Sequence, residues 1–115
     1  GFGADHAVDA RGDVASYIRG VNEGRLADMV IVCTGAESAI EGAFKLVEPG
    51  GTILFFAPSG PEAEITIPYN EFWWSGVKTV SSYAASPSDL SIALELIRAK
   101  RVNVGGMVTH MLPLS

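Results

Sequence analysis

Few residues in this chain are of a kind that does chemistry, and they are scattered. There is one cysteine, Cys33, and there are two histidines, His6 and His110. A single cysteine forms no internal disulfide, and neither histidine has a carboxylate or a thiol at ligand spacing. No metal centre and no catalytic side chain is therefore expected within these residues. Cys33 has no basic neighbour in sequence to favour its thiolate, so it reads as buried apolar filler. Trp73 and Trp74 read as packing or interface anchors. Glu62, Glu64 and Glu71 read as a solvated face.

The opening run Gly1-Phe2-Gly3-Ala4-Asp5-His6 superficially resembles a phosphate-binding loop. Such a loop needs a strand before it, a helix starting on it and a third glycine at its sixth position. Here nothing precedes it and His6 occupies that position. It reads instead as a turn leading into a short extended run, His6 to Asp9.

A better place for a site is Ala27-Asp28-Met29-Val30-Ile31-Val32-Cys33-Thr34-Gly35. Met29 to Val32 are four consecutive apolar residues, as in a strand buried on both faces. A helical segment and a second apolar run, Thr52 to Ala57, follow. Strand, helix and strand in succession predict a parallel sheet with crossovers, because parallel neighbours need a long connection. In such sheets small ligands bind where strands end at their carboxyl side, which is where Cys33-Thr34-Gly35 lies.

The remaining elements are those that must position that end. Asp13 is a candidate N-cap for a helix whose apolar face is Val14, Tyr17, Ile18 and Val21, with Gly24 as its stop. The central strand is expected from about Asp28 to Cys33. Ser38 and Glu41 have capping-box spacing ahead of a buried stripe of Ile40, Ala43, Phe44 and Val47. Pro49-Gly50-Gly51 is expected to end that helix and turn the chain into Thr52 to Ala57. Pro58-Ser59-Gly60-Pro61 then forms a loop.

Glu64-Ile65-Thr66-Ile67, closed by Pro68, predicts a short edge strand. Tyr69 to Gly76 predicts a helical turn and Lys78 to Tyr83 another strand. Ser86-Pro87-Ser88-Asp89 is a helix start, with Leu90, Ala93, Leu94 and Ile97 as its stripe and Arg98, Lys100 and Arg101 near its end. Val108 to Leu112 is expected to be extended.

Composition bounds the rest. The chain has 115 residues, 48% hydrophobic and 18% charged, which suits one modest packed domain. A net charge of −5 disfavours nucleic acid or an anionic membrane as partner. No apolar run approaches the roughly 18 residues of a membrane span, and no signal layout opens the chain. The lone cysteine favours a cytoplasmic setting. The first residue is Gly, which together with the motifs below suggests a piece of something larger.

Five spaced motifs carry a resemblance. Gly3-Ala4-Asp5-His6, Ala27 to Gly35 and Pro49-Gly50-Gly51-Thr52 resemble the zinc-dependent medium-chain alcohol dehydrogenases. Ser82-Tyr83-Ala84-Ala85-Ser86-Pro87 and Val102-Asn103 with Val108-Thr109-His110 are similar to the sorbitol and threonine dehydrogenase branch. The resemblance implies an α/β fold, with a parallel sheet and flanking helices forming the second half of a Rossmann-type domain. Residues 1–106 would be a partial NAD(P)-binding domain lacking its first strand, glycine loop and second strand. Residues 107–115 would return toward a catalytic domain that holds the zinc ligands.

It also implies a site. Cys33, Thr34, Gly35, Phe55, Ala57, Pro58, Ser82 and Tyr83 would approach the nicotinamide half of NAD or NADP. A flat ring pinned by backbone groups asks little of side chains. Gly35 and Ala57 would let the backbone come close, and Thr34 would bond a ribose hydroxyl. The whole enzyme would move hydride between an alcohol or polyol and nicotinamide with the help of zinc, or without zinc as in the related quinone and enoyl reductases. It would pair with its own copy through the edge strand Ile65 to Ile67. This piece alone would be inactive.

Two other classes share parts of the pattern. A methyltransferase also uses helix, Pro-Gly-Gly and strand, as in Leu46 to Phe55, and a non-enzymatic nucleotide sensor would keep the fold without the chemistry.

Overall fold

The structure, a computed structural model, describes residues 3–114. These divide into two compact units, Val8–Tyr83 and a second drawn from the residues up to Ala7 together with those from Ala84 onward.

Within Val8–Tyr83 the order is helix α1 (Val14–Val21), strand β1 (Ala27–Val32), helix α2 (Glu37–Ala43), strand β2 (Val47–Phe55), helix α3 (Tyr69–Ser75) and strand β3 (Lys78–Ser81). The three strands form one sheet in the order β1-β2-β3, and both pairings are parallel. The expected α/β architecture with parallel strands and crossovers is therefore present.

Local chemistry accounts for most boundaries. The Asp13 carboxylate accepts the Ser16 N–H at 3.0 Å and so caps α1. Both hydrogen bonds from Ser16 hold that carboxyl below its ordinary pKa. After Val21 the chain reverses, and the Gly24 N–H reaches back to the Arg19 carbonyl at 2.8 Å. Gly76 closes α3 in the left-handed conformation.

Other boundaries differ from expectation. The run His6 to Asp9 is not a strand; it ends in a turn where the Gly12 N–H bonds the Asp9 carbonyl and Arg11 pairs with the Asp9 carboxylate. The Ser38–Glu41 capping box does not form. The helix starts two residues earlier, at Glu37, with Ala36 as a cap that offers no side-chain acceptor.

Val47, read as the last residue of the helical stripe, is the first of β2. Pro49-Gly50-Gly51 does not separate helix from strand but lies inside β2 as an irregularity. Ala27 pairs with Val47 and Met29 with Thr52, so two steps along β1 match five along β2. Gly50 takes φ +78° there. Gly51 is buried so tightly that a Cβ would lie 2.8 Å from the Glu48 carbonyl and 2.9 Å from the Asp28 carbonyl. The Glu48 carboxylate straps the excursion to the entry of β1 by accepting the Leu26 N–H at 2.6 Å.

Strand alternation decides the core. Val30 lies beside Ile53 and Thr79 in register, and Ile31 beside Leu54 and Val80. The face carrying Val32 and Ile53 is covered by α2 through Ile40 and Ala43, with Val47 and Val77 completing the cluster. Phe44 links it to Phe55 and Phe72, at ring-centroid distances of 6.4 and 6.0 Å. The opposite face, with Met29, Ile31 and Val80, is open. Met29 to Val32 is thus buried on one face, not two.

Residues 64–67, expected as an edge strand, belong to no strand and make no hydrogen bond among the described residues.

The second unit holds helix α4 (Pro87–Arg98) and a short 3-10 turn (Gly105–Met107). The Ser86–Asp89 capping box forms in full: Ser86 Oγ accepts the Asp89 N–H, and Asp89 accepts the Ser86 N–H at 2.8 Å. The predicted stripe Leu90, Ala93, Leu94 and Ile97 is exposed. Val108 to Leu112 forms no strand.

Candidate functional site

The carboxyl ends of the three strands lie side by side. Val32, Phe55 and Ser81 share one row of the sheet. Just beyond it, the Val32 carbonyl accepts both the Phe56 and the Ala57 N–H at 3.1 Å, and the Phe55 carbonyl accepts the Ser82 N–H at 3.1 Å. Parallel pairing alone imposes this, since strands running the same way end on the same edge. The candidate residues Cys33, Thr34, Gly35, Phe55, Ala57, Pro58, Ser82 and Tyr83 are therefore gathered on one edge of one sheet.

Their environments differ. Gly35, Phe55 and Ala57 are half-buried, whereas Thr34, Pro58, Ser82 and Tyr83 are exposed, Tyr83 almost fully at 98%. Cys33 is also exposed, which overturns its reading as buried filler. It follows the last ladder residue of β1 and alternates with Met29 and Ile31, onto the face that α2 does not cover. The thiol therefore faces outward from the candidate edge.

Thr34 is oriented by its own turn. Its Oγ1 accepts the Ala36 N–H at 3.3 Å, supplying the bond that the uncapped start of α2 otherwise lacks. The exposed hydroxyl keeps its own proton for donation to another partner. Gly35 is small for a reason that the sequence alone did not reveal. A Cβ there would fall on the Pro58 carbonyl oxygen, with the Pro58 carbonyl carbon and Ser59 Cα each 3.2 Å away. What comes close to Gly35 in this chain is the loop after β2.

Two members of the edge were missed by reasoning from sequence. Phe56, 59% exposed, projects between Phe55 and Ala57. Its signal was strand alternation, because Phe55 packs inward and its neighbour must face out. Ser59, which abuts Gly35, carried no local signal at all.

Behind the loop lies an apolar cavity of about 280 Å³, walled by Ile40, Phe44, Phe55, Ile65 and Ile67 together with Ala57 to Ser59. Among the described residues no three His, Cys, Asp or Glu side chains come together as metal ligands. The residues present thus do not fit a zinc centre. What this edge offers instead is exposed main chain at the strand ends and the exposed Thr34 hydroxyl.

The chain is 29% identical over 113 residues to a sorbitol dehydrogenase of Halalkalibacterium halodurans, covering 94% of this chain and 32% of that protein. It is 30% identical over 115 residues to an NADP-dependent isopropanol dehydrogenase of Thermoanaerobacter brockii, covering 96% of this chain and 32% of the other. The chain thus spans about a third of the length of these curated relatives. In three dimensions it superposes on the alcohol dehydrogenase of the archaeon Aeropyrum pernix with a TM-score of 0.78 at 23% identity, over 87% of this chain and 28% of that one. That likeness establishes the shared Rossmann-type fold. The family model of the zinc-binding dehydrogenases matches residues 1–99, so the chain belongs to the zinc-binding dehydrogenase family.

Proposed function

We propose that this chain forms the nicotinamide-facing part of an NAD(P)- and zinc-dependent alcohol or polyol dehydrogenase. In this reading residues 1–106 belong to the nucleotide-binding domain and residues 107–115 lead back toward a catalytic domain whose residues hold the zinc. The observation that carries it is the alignment of three parallel strand ends on one edge, in a chain of this family. Bound nicotinamide would supply the hydride acceptor.

The chain's own part is to hold that ring flat and oriented. Hydrogen-bond accounting says which groups are available. The N–H groups of Phe56, Ala57 and Ser82 are already committed to strand carbonyls. Donors on this edge that no strand carbonyl takes up include the Tyr83 N–H, beyond the last ladder bond, and the exposed Thr34 hydroxyl. The Tyr83 N–H would receive the carboxamide oxygen and Thr34 a ribose hydroxyl. Cys33, Gly35, Phe55, Ala57 and Pro58 would supply the surface against which ring and ribose rest.

A polyol substrate is favoured by the similarity to a sorbitol dehydrogenase, and a simple secondary alcohol by that to an isopropanol dehydrogenase. Assembly with a second copy through residues 65–67 fits the absence of backbone partners for that run among the described residues. No helix among them is long and apolar enough to cross a membrane. The single cysteine supports a cytoplasmic setting.

The reading is tested in the intact protein by titrating reduced cofactor against Thr34→Val. Losing one hydroxyl hydrogen bond of about 1 kcal/mol should weaken binding roughly fivefold. An intact protein that binds neither NADH nor NADPH overturns the reading.

A further inference from the structure

The contact between Gly35 and the Pro58 carbonyl links two parts of the edge that the sheet does not hold together. The β1–α2 turn carries Thr34, and the loop after β2 carries Ala57 and Pro58. Hydrogen bonds to the Val32 carbonyl fix that loop as far as the Ala57 N–H and no further. Beyond Ala57, its position against the turn is set by packing on Gly35.

The glycine there is not required by backbone dihedral, since Gly35 is not among the residues with positive φ. It is required by space. The three atoms that a Cβ would meet are all main-chain atoms of Pro58 and Ser59, so no side-chain rotation relieves the overlap. The loop itself would have to move, by on the order of 1 Å to restore van der Waals distance. It has somewhere to go, because Ala57, Pro58 and Ser59 also form a wall of the apolar cavity, whose volume is about 280 Å³. A displaced loop therefore meets space before it meets a packed core.

We infer that Gly35 is a positioning residue: by lacking a side chain it seats the Pro58 carbonyl and so sets where the loop from Ala57 to Ser59 stands against the nicotinamide ring. This rests on the reading of the edge as a nicotinamide wall and adds to it that Gly35 also acts through the loop that it seats. A shift of about 1 Å at an orienting surface is enough to cost up to roughly a hundredfold in rate.

The test is Gly35→Ala in the intact protein, comparing NADH (or NADPH) with ADP-ribose or its 2′-phosphate, which lack the ring. Gly60→Ala is the control, because Gly60 sits in the same loop and a Cβ there meets nothing within 4 Å. The expected result is that Gly35→Ala weakens the reduced cofactor about tenfold and lowers kcat, while ADP-ribose affinity, thermal melting and the Gly60→Ala variant stay near wild type. Equal weakening of both ligands, or an unchanged preference for the ring-bearing one, overturns the proposal with the nicotinamide wall intact. Loss of cooperative melting in Gly35→Ala makes the residue a folding requirement and also overturns it. If the wild-type protein binds ADP-ribose as tightly as the reduced cofactor, the wall itself is misassigned and the proposal falls with it.

Discussion

The sharpest test of the fold is a comparison of two isoleucines on neighbouring strands. Ile53 is completely buried on the face covered by α2, whereas Ile31 lies on the opposite face and is 51% exposed. Ile53→Ala removes three buried carbons, worth about 2.4 kcal/mol at roughly 0.8 kcal/mol each. Beneath α2, with Ile40 and Ala43 against it, the site can collapse only partly, so a cavity term is added. The total should be about 3–4 kcal/mol.

Ile31→Ala removes the same carbons from a half-open surface and leaves no enclosed void. Its cost should be about 1 kcal/mol. Urea unfolding of this chain, followed by circular dichroism, separates the two. With a slope near 1.5 kcal/mol per molar, Ile53→Ala should lower the midpoint by roughly 2 M and Ile31→Ala by less than about 1 M. Equal costs would mean that both faces are covered alike, and the one-sided core described above would be wrong. In the intact protein the cost at Ile31 should rise if another segment covers that face.

Two glycines should respond with opposite signs. Gly51→Ala forces a Cβ against two carbonyl oxygens and should cost about 1–3 kcal/mol, whereas Gly42→Ala, with open space inside α2, should add about 0.5–1 kcal/mol; thermal melts of both variants check this. The Asp89 carboxyl is held below its ordinary pKa, chiefly by the hydrogen bond from the Ser86 side chain. Its folded pKa is depressed, so its contribution to α4 is present above about pH 4 and lost as pH falls through the lower folded value. Helicity should therefore decline on acidification below about pH 4, and Asp89→Asn should abolish that part of the titration. Thr66→Pro, placed in a run without backbone partners of its own, should shift the intact protein toward smaller species in sedimentation while leaving the monomer fold unchanged.

What could be read from the sequence was short-range. Asp13 and the Ser86–Asp89 pair announce helix starts because a carboxylate or hydroxyl reaches N–H groups within three residues of itself. Apolar runs separated by a helix-length segment announce parallel strands, and parallel strands necessarily end on one edge. That reasoning places Cys33-Thr34-Gly35 at a strand end, and the family resemblance implies that Ala57-Pro58 and Ser82-Tyr83 lie beside it. The resemblance carried by five spaced motifs pointed to the family that the comparisons then established.

What the tertiary structure decided depends on partners distant in sequence. Val47 and Pro49-Gly50-Gly51 look like the end of a helix and a turn, yet β1 supplies partners that draw them into β2. Residues 64–67 alternate as a strand should, but no neighbouring strand in this chain takes up their hydrogen bonds. Leu90, Leu94 and Ile97 form a stripe at helical spacing, and spacing is silent about whether a surface exists to bury it. Cys33 looked like filler because it follows four apolar residues, whereas its exposure depends on the face of β1 opposite α2 being left uncovered. Gly35 makes the same point at the candidate site. Its smallness was legible, but its reason is an oxygen of Pro58, more than twenty residues away, that only the packed sheet brings to the place where a side chain would stand.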